Sequence, residues 1–408
     1  MTDPQADTAA ASRPEGRCPT LRLQPGRDRR LRAGHPWAFS NEINMTAAAR
    51  ALPPGSVVRL EGDDGTRFGT FHFNPHSLIA ARRLSPDPVA VIDRGFWRAR
   101  LAAALRLREK LRDAPYYRLV HAEADGLPGL VIDRHGEVAT LQANTAGMEA
   151  ATSEILAALL DLIPLRAVVA RNDSCVRALE GLPLESRLLH GQDASATIEE
   201  GGVRFTVDPD AGQKTGWFYD QRPNRARVAA LAAGQTVLDA FTHTGGFGLQ
   251  AARAGAERVT LLDRSEHALD TARRTAEANG LIDRVEFLRG DAMEVLARLR
   301  DQNRSFGVVV SDPPAFAKSR KDHDAAIRAY ARLARLSAAL VSPGGFLFIA
   351  SCSHHVGTGE FTDAVIEGMR RARRDGRILG IHGAGPDHPV HPALPESAYL
   401  KGVLLQLD

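Results

Sequence analysis

The 408-residue sequence predicts an α/β protein with more than one domain. It places a Rossmann-like, doubly wound parallel sheet in the C-terminal half, a small β-barrel near the start and an α+β segment between them. Three observations predict this. The chain is longer than one hydrophobic core ordinarily supports. Four strand-like runs, separated by Gly-, Pro- and Asp-rich turns, stand between Leu21 and Leu84. From about residue 196 onward apolar strands alternate with helical patterns, which marks a parallel sheet covered on both faces.

The opening "MTDPQADTAAASRPEGRCPT" has neither a basic start nor an apolar run, so residues 1–19 read as a disordered tail and not as a secretory signal. Residues 20–85 hold "TLRLQPG", "SVVRLEG", "RFGTFHF" and "SLIAARRL", the short strands of the barrel. In "SPDPVAVID" two prolines flank Asp87 and predict a linker. Residues 90–195 carry a helix in "GFWRARLAAALRLREKLR", strands in "GLVIDRHGEVATLQAN" and a second helix in "MEAATSEILAALLDLI". In the latter Ile155, Leu156, Leu159, Leu160 and Ile163 recur at helical spacing. Residues 196–408 form the doubly wound domain.

Composition narrows the function classes. Hydrophobic residues at 44% and charged residues at 25% are ordinary for a globular protein. A net charge of +3 admits a nucleic-acid partner without requiring one. Five of the 52 basic residues are lysines, an even skew that reads as genome composition. Cys18, Cys175 and Cys352 are scattered and form neither a disulfide framework nor a C-x-x-C pair, which fits a reducing, cytoplasmic setting and predicts no metal site. No apolar run approaches the roughly 20 residues of a membrane span, so no membrane partner is expected.

Four acids stand at the ends of successive apolar strands: Asp239 in "QTVLDAFTHTGGFG", Asp263 in "RVTLLDRSEHALD", Asp291 in "RVEFLRGDAMEVL" and Asp312 in "FGVVVSDPPAF". In doubly wound sheets ligands bind beyond the carboxyl ends of the strands. Asp263 follows Asp239 by 24 residues, near the offset at which an acid holds ribose hydroxyls. Asp291 is placed to accept from an adenine amine. The glycines at 245, 246 and 248 do not form G-x-G-x-x-G, which disfavours a pyrophosphate cradle. The pattern favours an adenosine-bearing ligand without phosphates, such as S-adenosyl-L-methionine. A helix N-cap is the alternative reading of each acid singly. In "SDPPAF", Pro313 and Pro314 hold the backbone extended, presenting Asp312 to a planar group with Phe316 available to stack on it.

These stretches, with "SCS" and "DHPVHPALPESAYLKG" near the end, resemble the bacterial large-subunit ribosomal RNA (cytosine-5) methyltransferase I family. The resemblance extends upstream to "QKTGWFYDQRPNR", "VHAEADGLPGLVIDR" and "LRLQPGRDRRLRAGHPWAFSNEI", the last similar to a PUA-type RNA-binding module. It implies a class I S-adenosylmethionine-dependent methyltransferase domain acting on C5 of a cytosine in ribosomal RNA, and makes a homodimer an expectation. By position Phe241, Gly245, Gly246, Asp263, Ser265 and Asp291 would line the cofactor, with Asp239 and Asp312 beside them. Lys214, Thr215 and Gln221 fall in the lead-in motif, near the site. Cys352 matches the family's cysteine at the end of the fifth strand. Two features depart from the pattern: His354 and His355 follow "SCS", and Ala315 stands where a related branch carries a second cysteine.

A lone cysteine is ordinarily a small buried hydrophobe. C5 of cytosine is a poor nucleophile, and a thiolate adding at C6 would activate it, which gives Cys352 a use. Asp312 would serve as the acid near N3. A free thiol has a pKa of about 8.5, so help is needed from the helix expected near Gly357 or from a cation. In the N-terminal module Arg22, Arg27, Arg29, Arg30 and Arg32 precede Trp37 and Phe39, a mixture suited to phosphate contacts and base stacking. Competing readings are a methyltransferase acting on a guanine or adenine nitrogen through the "DPPAF" loop, a non-catalytic RNA-binding assembly factor, and, on fold alone, a nicotinamide dehydrogenase.

Overall fold

The computed structural model describes residues 18–209, 216–317 and 319–408. The expected tail lies outside them but for its last two residues. The chain forms two compact units, one ending at Ile92 and the other running from Asp93 to Asp408.

The first unit is a five-stranded sheet. Its strands lie in the order Thr20–Arg22, Ser56–Glu61, Arg67–Phe73, Ala81–Ser85, Trp37–Ala38, and only the first pair is parallel. A bridge between Leu23 and Ile43, and the bond from Asn44 N to Arg22 O, tie the free edge of Thr20–Arg22 to the segment after Trp37–Ala38. The sheet thereby curls around Leu23, Leu31, Ile43, Val58, Leu60, Phe71 and Phe73. At Gly69 the strands approach so closely that a Cβ would lie 2.0 Å from the Ser85 carbonyl oxygen, and the φ of +114° also demands glycine.

The second unit begins with the helix Arg94–Leu111. Asp93 caps it by accepting from Phe96 N, and Trp97, Leu101, Ala104 and Arg108 form its buried stripe. The helix expected from Met148 is two helices, Ala146–Ala150 and Thr152–Leu162. The Thr152 hydroxyl donates to the Met148 carbonyl at 3.0 Å, back-bonding of the kind that bends helices. A five-stranded sheet follows, in the order Glu185–His190, Ala167–Asn172, Val138–Ala143, Leu130–His135, Tyr116–His121, and then a hairpin of Ala196–Glu200 and Val203–Val207.

The largest sheet has seven strands: β1 (Thr236–Ala240), β2 (Arg258–Asp263), β3 (Val285–Arg289), β4 (Phe306–Ser311), β5 (Val341–Ser351), β6 (Gly376–His382) and β7 (Lys401–Leu407). They lie in the order β3-β2-β1-β4-β5-β7-β6, with β7 antiparallel between β5 and β6. Helices α1 (Gly246–Arg253), α2 (Glu266–Ala278), α3 (Ala292–Asp301), α4 (His323–Ala338) and α5 (Thr358–Arg371) cover both faces. Leu238 and Ala240 pack with residues of α3, α4 and α5, whereas Val237 packs with residues of α1 and α2. Double coverage is why β4, "FGVVVS", is buried throughout. The chain runs from β1 outward through β2 to β3, then returns to place β4 on the other side of β1. The carboxyl ends of β1 and β4 therefore flank the topological switch point. Among the described residues no helix is long and apolar enough to cross a membrane.

Candidate active site

Two carboxylates shape the turn that leaves β1. Asp239 is buried; its Oδ2 accepts from the Thr242 hydroxyl at 2.5 Å and from Gly248 N at 2.8 Å. Its Oδ1 is buried with no hydrogen-bond partner among the described residues. Burial pushes this carboxyl up to about 7, with Asp263 adding to the rise and the two hydrogen bonds opposing it. Asp263, at the end of β2, accepts from His243 N at 2.9 Å and from Ser265 N at 2.8 Å. Between them Phe241 and His243 adopt left-handed φ values of 62° and 53°, and Gly245 one of 86°. Each non-glycine residue there costs on the order of 1–3 kcal/mol, offset by these anchors. A Cβ at Gly248 would lie 2.2 Å from the Leu261 side chain, so α1 can approach β2 only with glycine there.

Ser265 caps α2 by accepting from Ala268 N at 3.2 Å. Asp291 is exposed and caps α3, accepting from Met293 N at 2.9 Å and Glu294 N at 3.2 Å. Both cap a helix at the carboxyl edge of the sheet. Asp312 is half-buried just past β4, and its N–H reaches the Ala240 carbonyl at 3.4 Å.

A tyrosine joins the "DPPAF" and "SCS" loops. Tyr330 of α4 accepts from Ser351 Oγ at 2.8 Å, shares a 2.8 Å hydrogen bond with Ser353 Oγ, and receives Phe316 N at 3.5 Å. Ser353 Oγ in turn accepts from Ala317 N at 3.2 Å. The Phe316 ring packs on Tyr330 with centroids 4.7 Å apart, so one of its faces is committed to the protein. Pro313 is buried and Pro314 exposed. Cys352 lies between the two anchored serines and is half-buried. Ser311 stands beside Ile349 in the parallel register, so Asp312 and Cys352 leave neighbouring strands at the same edge.

The lead-in segment closes against the glycine turn. A Cβ at Gly246 would meet Arg225 at 3.2 Å and Trp217 at 3.5 Å, and the Phe218 ring meets His243 edge-on at 5.5 Å. Glu200 organises the segment, accepting from Trp217 Nε1 at 3.1 Å, Arg222 Nε at 3.0 Å, Arg225 Nε at 2.6 Å and Gln250 Nε2 at 2.9 Å. Burial pushes its carboxyl up, but Arg225 and Arg222 more than offset this and hold it at about 2. Gln221 is buried and accepts from Asn224 at 2.7 Å, while its Nε2 has no partner among the described residues. The adjoining Asp220 accepts from the Tyr399 hydroxyl at 2.5 Å. Lys214 and Thr215 lie outside the described residues. Arg29 and Trp37 belong to the first unit. Arg29 is exposed, and the half-buried Trp37 ring carries the Arg82 guanidinium at 5.2 Å. Sequence reasoning missed Glu200, Asp220, Tyr330 and Lys401. Only Lys401 carried a local signal, as a lysine heading the apolar run "KGVLLQL".

A family model described as S-adenosylmethionine-dependent methyltransferase matches residues 139–403, and one described as PUA-like domain matches residues 21–86. Ribosomal RNA large subunit methyltransferase I of Aliivibrio fischeri is 37% identical over 389 residues, which span 94% of this chain and 98% of that protein. Its namesake in Vibrio cholerae is 38% identical over 392 residues, with the same two coverages. The chain belongs to the ribosomal RNA large subunit methyltransferase I family of S-adenosylmethionine-dependent methyltransferases. Two solved structures share its fold. An S-adenosylmethionine-dependent methyltransferase from Streptococcus mutans has a TM-score of 0.79 at 21% identity, covering 95% of this chain and 100% of its own. A methyltransferase complexed with SAH has a TM-score of 0.81 with the same identity and coverages. The cofactor of the family is S-adenosylmethionine, and the described residues fit it. Among the described residues the buried Asp239 Oδ1 meets no donor, and each Asp263 oxygen accepts one backbone N–H, leaving capacity for a ligand rich in hydroxyl and ammonium donors.

Proposed function

We propose that this methyltransferase acts on large-subunit ribosomal RNA and forms 5-methylcytosine through a covalent bond between Cys352 and the base. The observation that carries this reading is the half-buried Cys352 at the end of β5, with its loop joined to that of Asp312 through Ser353 and Tyr330. Asp239, Phe241, Gly245, Gly246, Asp263, Ser265 and Asp291 would hold the cofactor. Bound S-adenosylmethionine supplies an electrophilic methyl group to the ring. Cys352, as thiolate, adds to C6; the C5–C6 π pair moves into the ring, and Asp312 donates a proton or hydrogen bond at N3. C5 is thereby made nucleophilic. As C5 takes the methyl, S-adenosylhomocysteine would be left and the N3 proton would return to Asp312. A base then takes the C5 proton, the C–H pair re-forms the C5–C6 double bond, and the S–C6 bond breaks with its pair returning to sulfur. Pro313 and Pro314 hold the Asp312 backbone, with Phe316, Gln221 and Lys214 as substrate-side residues. The first unit, with Arg29 and the Arg82–Trp37 pair, would bind RNA through phosphate contacts and stacking.

The Asp312-Pro313-Pro314 loop favours a second reading, methylation of an exocyclic base nitrogen through its carbonyls. Methyl transfer to large-subunit ribosomal RNA by the Cys352→Ala variant separates the two. Loss of transfer with cofactor affinity retained is expected; full transfer would establish the second reading and end the first. Nucleoside mass spectrometry of the product, expected to give 5-methylcytidine, tests the position.

A further inference from the structure

Lys401 heads β7 and faces Ser351 in the antiparallel register with β5, one residue before Cys352. It is 5% exposed. Its Nζ donates to the carbonyls of Ser353 at 2.6 Å and Val356 at 2.8 Å, clamping the turn that follows Cys352. Burial lowers the Lys401 pKa and the Cys352 sulfur raises it, so each charge favours the other. Two other described groups feel the charge of the sulfur, and both are tyrosines that carry no positive charge. Tyr330 from α4 and Tyr399 are both pushed up by burial and stay neutral, and the Tyr399 hydroxyl donates to Asp220. Asp312 on the neighbouring loop carries negative charge when ionised, and His354 and His355 are exposed. The start of α5 is already occupied, because Gly357 N donates to the Glu360 carboxylate at 2.8 Å. An ammonium is also the compact cation; a guanidinium in its place would have to fit a planar fork against the same two carbonyls.

We propose that Lys401 is the positioning residue of Cys352, fixing the turn that carries the thiol and supplying the charge that keeps it ionised. This rests on the reading of Cys352 as nucleophile. The test uses the full chain with Cys18→Ser and Cys175→Ser, so that iodoacetamide reports on Cys352 alone. The pH midpoint of alkylation is expected at least one unit below the ordinary value of about 8.5. Lys401→Met is expected to raise it by a unit or more, about a tenfold loss of thiolate at neutral pH, and to move the acid limb of the methyl-transfer profile with it. Lys401→Arg keeps the charge but not the fit to the two carbonyls, and is expected to recover only part of the shift. A midpoint in the parent protein at or above about 8.5, or one unchanged in Lys401→Met, would overturn the proposal. If Lys401→Met does not fold, judged by S-adenosylmethionine binding, the parent midpoint decides. A low midpoint together with a fully active Cys352→Ala enzyme would instead overturn the nucleophile reading and leave the Lys401–Cys352 pairing standing.

Discussion

Replacing Asp239 by Asn removes a charge that the fold holds at a cost, and the size of the effect follows from its surroundings. The carboxyl is buried, one oxygen accepts two hydrogen bonds, the other accepts none among the described residues, and the pKa lies at about 7. An unfolded aspartate titrates near 3.9, so the folded value is raised by about three units, on the order of 4 kcal/mol. The sign is unfavourable to the ionised fold. Between roughly pH 4 and pH 7 the native state keeps a proton that the unfolded chain has lost, so stability falls as pH rises through that window. The amide matches the protonated carboxyl in shape and keeps an acceptor for Thr242 and Gly248. In the apo protein, urea midpoints followed by circular dichroism should therefore coincide for the two proteins near pH 4 and separate by pH 8. The variant should then be the more stable, by up to about 4 kcal/mol. Titrating groups that do not interact with Asp239 cancel in the difference; Asp263, which does, is relieved of a neighbouring charge in the variant and shifts the curves in the same sense. Parallel curves from pH 4 to pH 8 would refute the assignment of this burden to Asp239. The same variant should bind S-adenosylmethionine more weakly, measured by calorimetry at pH 8.

Tyr330→Phe deletes the hydroxyl that meets Ser351 and Ser353. At about 0.5–1.5 kcal/mol per bond the loss is about 1–3 kcal/mol, concentrated in the loops of Asp312 and Cys352. Methyl transfer should fall several-fold while S-adenosylmethionine affinity holds; unchanged kinetics would contradict the joint role of this hub. Glu200→Gln leaves Arg222 and Arg225 facing a neutral group and should cost about 3–5 kcal/mol in denaturant titrations at neutral pH. Because the folded Glu200 carboxyl is depressed to about 2, its contribution is present above roughly pH 4.3 and is lost as pH falls toward 2. Equal stability of the variant and the parent at neutral pH would show that the lead-in segment is held by other contacts.

The doubly wound domain was legible because β4 and the second half of β5, covered on both faces, read as apolar runs closing on Ser311 and Ser351, and because β1 and β2 carry Asp239 and Asp263 at or next to their ends. The strand-end acids were visible for the same reason, but not how their oxygens divide. Asp239 and Asp263 bind the turn itself and Asp291 caps a helix, facts that depend on backbone N–H groups brought in by folding. Tyr330 sits in "AAIRAYARLARL" as one more apolar position, and nothing local reveals that its hydroxyl meets serines 21 and 23 residues away. Glu200 closes a short strand, and its partners lie 17 to 50 residues further on. The helix divides at Ala151, where φ −93° and ψ 0° leave regular helical values beside the Thr152–Met148 hydrogen bond, a local backbone feature that helical periodicity does not carry.

The bond between sulfur and base can be caught directly. Full-length protein incubated with S-adenosylmethionine and ribosomal RNA containing 5-fluorocytidine, which has no C5 proton to lose, should yield a denaturant-stable complex whose cross-linked peptide contains Cys352. Recovery of methylated RNA without any such complex, or a complex formed equally by Cys352→Ala, would contradict the account.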